Sequence, residues 1–353
     1  MKIRFISGRE PTYVRNAMIL KGLKGIGAEI LECSDLSTSY LTRYFKVLSK
    51  YIFSNKEDVN LVFIGFLGQP LVPIIKKLTR KPIIFDAFIS VYDTMCFDRK
   101  IIKPNSLAGK FIFWLDKCSC NNSDKIFLDT TAHIDYFIHT FDLPKNKFQR
   151  VFVGADDSIF YPRDVERNDS RFRVFYYASY LPLHGTEHII QAAKILEQNS
   201  EIEFVVVGKG PQQKEVHKLA QEMEIKNINF VDWMPYENLP LEIAKADVCL
   251  GGHFSDIDKA KRVIAGKTFQ FIAMKKPVIV GDCPANRELF TDKENALFVK
   301  MADAASLGEA ILELRDNALL REQIAEHGYR TFLERCNTKA ITEELKRVIE
   351  AFQ

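Results

Sequence analysis

Long hydrophobic runs, paired cysteines and a strong charge of one sign are all missing from this 353-residue sequence. The longest apolar stretch, LVFIGFLGQPLVPII, is broken by Gly68, Gln69 and Pro70, well short of the roughly 20 residues a membrane-spanning helix needs. The seven cysteines are an odd number, and Cys118 and Cys120 are one residue too close for a C-x2-C zinc pair. No histidine cluster follows them. Reduced thiols and no metal site are therefore the expectation. A formal net charge of +3 is too small for a nucleic-acid binder. There is no internal repeat and no low-complexity tract. The opening MKIRFIS reads as a first strand rather than a leader peptide. A soluble cytoplasmic protein is expected, with membrane association left open.

The charge that is present is uneven. Residues 1–160 hold 23 Lys+Arg against 16 Asp+Glu, a balance of +7, and the remainder holds 26 against 30, a balance of −4. A mixed solvated surface is the ordinary reading of such a pattern, and a face for an anionic partner is the other.

Short apolar runs alternate with amphipathic stretches from end to end, the pattern of parallel α/β architecture. Strands are predicted at 2–7, 60–65, 81–87, 125–129 and 150–155, then at 173–179, 203–208, 228–232, 247–252, 277–282 and 296–299. Helices are predicted between them, at 12–24, 70–78, 187–198, 211–223 and 238–246, with a helical end. The aperiodic, charged RDVERNDSRF reads as a linker. This predicts an N-terminal domain over 1–160, a second over 161–335, and a terminal helix at 336–353 that packs back on the first. Ligands of such sheets bind beyond the carboxyl ends of the strands, which singles out the loops after 7, 86, 179, 208, 232 and 251.

Gly266-Lys267-Thr268 looks like the end of a phosphate-binding P-loop. However, Lys261 stands where the loop needs its first glycine, and the strand PVIV follows the lysine rather than preceding it. What remains is a lysine at a helix start. VVVGKGPQQ resembles a dinucleotide fingerprint, with Gln213 in place of the third glycine and Asp232 closing the next strand. The two glycines at 208 and 210, flanking Lys209, are expected to let the backbone approach a ligand at a helix amino end. In GGHFSDIDKAKRVIAGK, Lys259, Arg262 and Lys267 are expected to converge from a helix on a diphosphate. Asp256-Ile257-Asp258 is too short a pattern to carry a metal assignment.

Taken together, five segments resemble the retaining family-4 glycosyltransferases: VFVGADDSIFYP, YASYLPLHG, VVVGKGP, NINFVDWMPYENLP and GKTFQFIAMKKPVIVGD. The resemblance implies the GT-B fold, two Rossmann-like domains with parallel sheets facing a central cleft. Ser179 and His184 stand where the family has its phosphate-binding Arg and Lys. Arg262 and Gln270 stand where it has two glutamates. Gln270 is then expected at the ribose. Arg262, which can only donate hydrogen bonds, is expected with Lys267 at the diphosphate.

The resemblance implies transfer of a sugar from a nucleoside-diphosphate-sugar to a hydroxyl of a glycan or lipid-linked acceptor, with retention and without metal or cofactor. The donor site would comprise Ser179, His184, Gly185, Gly208, Lys209, Gly210, Trp233, Met234, Lys259 and Gln270. Asp86, Arg262 and Lys267 would carry the chemistry. The acceptor would meet Gly8, Arg9, Tyr13, Arg15 and Asp93. A structural cap is the other reading of Asp86. For LTRYFKVLSKYIF and LAGKFIFWLDK, a peripheral membrane face is weighed against the simpler core-facing amphipathic helix. A nucleotide-sugar-binding protein without turnover, a sugar-nucleotide epimerase and a nicotinamide oxidoreductase are the alternatives.

Overall fold

The structure is a computed structural model that describes residues 1–54, 59–167 and 169–352. Asn168, in the expected linker, and Gln353, at the expected terminal helix, lie outside the described residues. The chain forms two compact units, one of residues 1–153 with 338–353 and the other of residues 154–337.

Unit 1 contains β1 (Lys2–Ser7), β2 (Glu29–Cys33), β3 (Leu61–Gly65), β4 (Ile83–Asp86), β5 (Lys125–Leu128) and β6 (Phe148–Arg150). They pair in the order β2-β1-β3-β4-β5-β6, all parallel. The helices are α1 (Val14–Gly25), α2 (Tyr40–Ile52), α3 (Val72–Leu78), the single turn α4 (Val91–Asp93), α5 (Leu107–Asn121) and α6 (Thr131–Phe141). One core joins Val47 and Tyr51 of α2, Val72 and Ile75 of α3, Cys120 of α5 and Phe137 and Phe141 of α6 to the strands.

Unit 2 contains β7 (Phe172–Ala178), α7 (Thr186–Ile195), β8 (Ile202–Gly208), α8 (Gln213–Glu222), β9 (Ile228–Val231), α9 (Leu239–Ala244) and β10 (Val248–Leu250). It continues with α10 (Gly266–Ala273), β11 (Val278–Gly281), β12 (Leu297–Val299), α11 (Ala304–Asp316) and α12 (Ala318–Arg335). Its parallel sheet runs β12-β11-β10-β7-β8-β9. The last helix, α13 (Thr338–Ile349), belongs to unit 1 and packs on α1. Each unit is a Rossmann-like layer of parallel strands and helices.

Two elements differ from expectation. β2 was not predicted, because EILEC lies at the sheet edge and is largely solvated, so it lacks the continuous apolar run of a central parallel strand. The strand expected at 150–155 is Phe148–Arg150, and the buried Val151–Val153 that follows is irregular. The polar stretch read as a linker belongs to unit 2, where Arg167 bonds the Lys245 carbonyl at 2.9 Å and the Asp247 carboxylate at 2.6 Å.

Candidate functional site

In unit 2 the chain steps from β7 outward to β8 and β9 on one side, then returns to place β10, β11 and β12 on the other. The crevice between β7 and β10 is therefore the switch point of the sheet, where open α/β sheets bind ligands. The loops leaving these two strands are joined to each other. The Phe254 N–H donates to the His184 carbonyl at 3.1 Å, and Ser255 Oγ donates to the Leu183 carbonyl at 2.8 Å. A Cβ on Gly185 would lie 2.4 Å from the Ser255 nitrogen, so only glycine allows the seam to close.

This seam brings two histidines together. The His184 and His253 rings stack with centroids 5.3 Å apart and planes 4° from parallel. Both are buried. His184 Nδ1 accepts from the Leu181 N–H at 3.3 Å, so in the neutral ring the proton is on Nε2, leaving a donor. The buried Nδ1 of His253 has no hydrogen-bond partner among the described residues. Burial, followed by Lys267, the opposite histidine and Lys259, pushes the His184 pKa well below its ordinary range. Burial, then Lys267 and Lys259, does the same to His253.

Lys267 sits in the first turn of α10, buried against β7. Its Nζ lies 4.5 Å from the centre of the Tyr176 ring and 3.4 Å from the Tyr176 hydroxyl. Among the described residues no carboxylate bonds it, and burial lowers its pKa to about 7. Two histidines and Lys267 are thus buried close together, and the two lysines oppose the charging of both histidines. An anion bound there would offset the cost of burying the Lys267 charge.

The remaining expected donor residues are placed as follows. Lys259 lies in a 3₁₀ turn, Asp258–Lys261, which ends before Arg262. No single helix carries Lys259, Arg262 and Lys267, contrary to the expectation, because residues 262–265 are irregular. Gln270 is buried on α10, its carbonyl accepting from the Tyr177 hydroxyl and its amide donating to the Tyr236 hydroxyl at 3.3 Å. Both ends of the amide expected at the ribose are therefore held by tyrosines. Ser179 and Lys209 are exposed, as is Trp233, which with the half-buried Met234 follows the edge strand β9.

Gly208 and Gly210 also have a packing role that the sequence did not suggest. Gly208 has φ of +151°, and a Cβ there would lie 1.8 Å from the Ala178 carbonyl oxygen. On Gly210 it would lie 1.7 Å from the Ser179 carbonyl oxygen. The glycines let this loop lie against the backbone leaving β7, which fixes the His184 loop from behind. Gly210→Ala is expected to displace that loop and to weaken nucleotide binding by about tenfold or more. Isothermal titration against the parent chain would measure it.

The sites expected in unit 1 are rearranged. Arg15 and Asp86, expected at the acceptor, are both fully buried and bind each other, with Nη2–Oδ1 at 2.8 Å and Nε–Oδ2 at 2.9 Å. Arg15 also donates to the carbonyls of Val151 and Phe152 at 2.7 and 3.0 Å, holding the chain that leaves β6. Burial raises the Asp86 pKa against the opposing pull of Arg15, and neighbouring Asp129 raises it further. The pair is a structural tie that presents no free carboxylate. Asp93 is buried too. A Cβ on Gly8 would lie 1.9 Å from the Leu67 carbonyl oxygen. Arg9 lies over the Tyr13 ring at 5.2 Å and bonds the Tyr40 hydroxyl.

Sequence reasoning missed His253, Asp129 and His133. His133 Nδ1 is 2.8 Å from Asp129 Oδ1, and both residues are buried. Their signal was the i, i+4 pair in LDTTAH directly after a strand. His253 follows Gly251-Gly252 at the end of β10, and that position alone marked it.

The model of the family described as "Glycosyl transferases group 1" matches residues 157–331. A lipopolysaccharide core biosynthesis glycosyltransferase of Rhizobium meliloti is 25% identical over 51% of this chain and 50% of its own. The alpha-D-kanosaminyltransferase of Streptomyces kanamyceticus is 20% identical over 74% and 65%. The chain thus spans about half to two thirds of the length of these relatives. The Anabaena protein HepE, solved in complex with UDP, aligns over 99% of this chain and 100% of its own, with a TM-score of 0.73 and 14% identity.

Proposed function

Residues 157–331 belong to the group 1 glycosyl transferases, and from that premise we infer that the protein moves a sugar from a nucleoside-diphosphate donor to an acceptor hydroxyl with retention. The observation that carries this reading is the cluster of His184, His253, Lys259 and Lys267 at the switch point of unit 2. In such a transfer the bond from the anomeric carbon to the diphosphate breaks, and negative charge gathers on the departing oxygen. Preorganised cations and N–H donors at that oxygen lower the barrier. Lys267 supplies charge, and His184 Nε2 supplies a donor. The cluster supports a metal-independent site, since the Lys267 ammonium supplies positive charge that a divalent cation would otherwise bring to the diphosphate.

The acceptor is a glycan or lipid-linked hydroxyl. The donor base is uracil, on the likeness in fold to HepE, which was solved with UDP. A second reading, nucleotide-sugar binding without turnover, is favoured by one observation: the Gln270 amide, expected at the ribose, is already engaged at both ends by Tyr177 and Tyr236. Release of nucleoside diphosphate with an acceptor present separates the two readings. NMR of the product's anomeric configuration tests retention.

The first test is a thermal-shift screen with UDP, GDP, ADP, TDP, CMP and NAD, in Mg2+ or in EDTA. Ligand at about 100 times its Kd stabilises by about 2.7 kcal/mol. A selective shift with UDP that EDTA leaves intact is the expected result. A shift with NAD alone, or with no diphosphate, overturns the reading.

Binding also carries a pH signature. Lys267 holds its proton only up to about pH 7 in the free protein, and a bound diphosphate stabilises the charged form. Above pH 7 binding must therefore take up a proton, and affinity falls by up to about tenfold per pH unit. Stability of the free protein moves the other way. The unfolded lysine keeps its proton to about pH 10.4, so stability rises with pH between 7 and that value by at most about 1.4 kcal/mol per unit. Titration calorimetry in two buffers of different ionisation enthalpy, at pH 8, should report uptake of about one proton per nucleotide.

A further inference from the structure

We propose that Arg9 of unit 1, held between Tyr13 and Tyr40, binds an anionic group, a carboxylate or a phosphate, carried by the glycan that accepts the sugar. The anion site stands on its own geometry, and its role toward an acceptor rests on the transferase reading. The loop that carries Arg9 leaves β1 at the carboxyl end of the sheet, where open α/β layers bind their ligands. Its backbone is pinned. The Gly8 and Arg9 N–H groups donate to the Phe66 carbonyl at 3.2 and 3.1 Å. The Arg9 carbonyl accepts from Ser7 Oγ at 2.7 Å and from Asn16 Nδ2 at 3.2 Å, and Asn16 Nδ2 also donates to the Glu10 carbonyl at 3.1 Å. The rings of Tyr13, Phe66 and Phe88 pack in series, with centroids 5.0 Å apart for the first pair and 4.9 Å for the second.

The Arg9 side chain is held as firmly as its backbone. The guanidinium carbon lies 5.2 Å from the centre of the Tyr13 ring and 6.0 Å from that of Tyr40, and Nη1 donates to the Tyr40 hydroxyl. Contact with two rings fixes the plane of the guanidinium. Its Nε is 3.1 Å from Glu10 Oε1 without the alignment of a hydrogen bond, and its Nη2 bonds nothing among the described residues. Arg43, the other cation of the cluster, is already committed. It is buried, lies over the Tyr40 ring at 5.2 Å, and donates to the Ser37 and Gly8 carbonyls at 2.9 and 3.3 Å. It also donates to Glu10 Oε2 at 3.0 Å. Glu10 is thus one carboxylate shared by two guanidinium groups. Arg9, with 32% of its side chain exposed, carries the positive charge left over, and Tyr40 is exposed beside it. A fixed, donor-only fork with unspent N–H groups suits the paired oxygens of a carboxylate or phosphate. A neutral sugar would leave its charge unmatched.

The test titrates the full chain, followed by NMR, with methyl glucuronide, glucose 1-phosphate and the neutral methyl glucoside. The first two separate a carboxylate from a phosphate, and the third removes the charge. At least one charged sugar is expected to bind about tenfold or more tighter than the glucoside. Arg9→Met should erase that difference while the chain melts like the parent. Arg9→Lys, which keeps the charge and loses the fork, should retain part of it. Glu10→Gln keeps an acceptor oxygen for Arg43 and removes the shared negative charge, so it should tighten the charged sugar. Titration with UDP separates this site from the reading it serves. A chain that binds no UDP, yet loses the charged sugar on Arg9→Met, keeps the anion site and loses the transferase reading. Four results would overturn the proposal: charged and neutral sugars bound alike, neither charged sugar bound at millimolar concentration, selectivity that survives Arg9→Met, or loss of UDP affinity in Arg9→Met. The last would place the donor's own phosphates at Arg9.

Discussion

Lys267→Met is expected to abolish the nucleotide-induced thermal shift and to lower the transfer rate by about 10²–10³, while the free protein melts at the same temperature or higher. The two halves of this result have one cause. Lys267 is buried beside the Tyr176 and Tyr177 rings, with no carboxylate bonded to its ammonium among the described residues, so its charge costs stability in the free protein. Methionine of similar length fills the same space without that cost. Stabilisation of a leaving diphosphate needs the charge, and losing one such donor typically costs about 3–4 kcal/mol of barrier. Lys218→Met, at an exposed position on α8, is the control and should change the rate less than threefold. A stable Lys267→Met chain that still binds and turns over like the parent would remove the lysine from the site. It would also leave the paired histidines without an assigned charge to receive.

Asp86→Ala is expected to have the largest effect on stability, about 3–5 kcal/mol, because it leaves the Arg15 guanidinium buried without its partner. Asp86→Asn, which keeps one acceptor, should cost less. An Asp86→Leu, Arg15→Met double replacement should recover much of the loss, since breaking a buried pair costs more than exchanging both members for apolar groups. Denaturant unfolding of the four chains would measure the series. If Asp86→Ala unfolded like the parent while losing transfer activity, the carboxylate would belong to the reaction rather than to the framework.

Much of the fold was legible because parallel strands are buried on both faces and appear as unbroken apolar runs, as in EFVVVG and PVIVGD. The exception, β2, is an edge strand with glutamates at two of its five positions. For the site, helix starts and strand ends could be read, which singled out Lys267 and His184. Side-chain direction could not. Asp86 is an apt acid at a strand end by position, and only packing shows that its oxygens are turned inward onto Arg15, 71 residues away. Gly208 and Gly210 invited a ligand on sequence grounds, yet their missing side chains make room for carbonyls of the neighbouring loop. His253 carried no spacing signal, because its significance arises from a ring contributed by a different strand's loop.

Unit 1 is written in two pieces, with unit 2 inserted between Val153 and Thr338. Leu345 and Ile349 of the second piece are buried in it. During synthesis from the amino end, the first 153 residues emerge with the α1 side of their sheet still uncovered, and they wait through the translation of 184 more. At roughly 5–20 residues per second that interval is about 10–40 seconds. The inserted unit, contiguous in sequence, is under no such delay. Residues 338–349, made after the inserted unit, therefore complete a layer whose strands were made before it, and a ribosome stalled within residues 154–337 would leave that sheet with apolar surface for chaperones to bind.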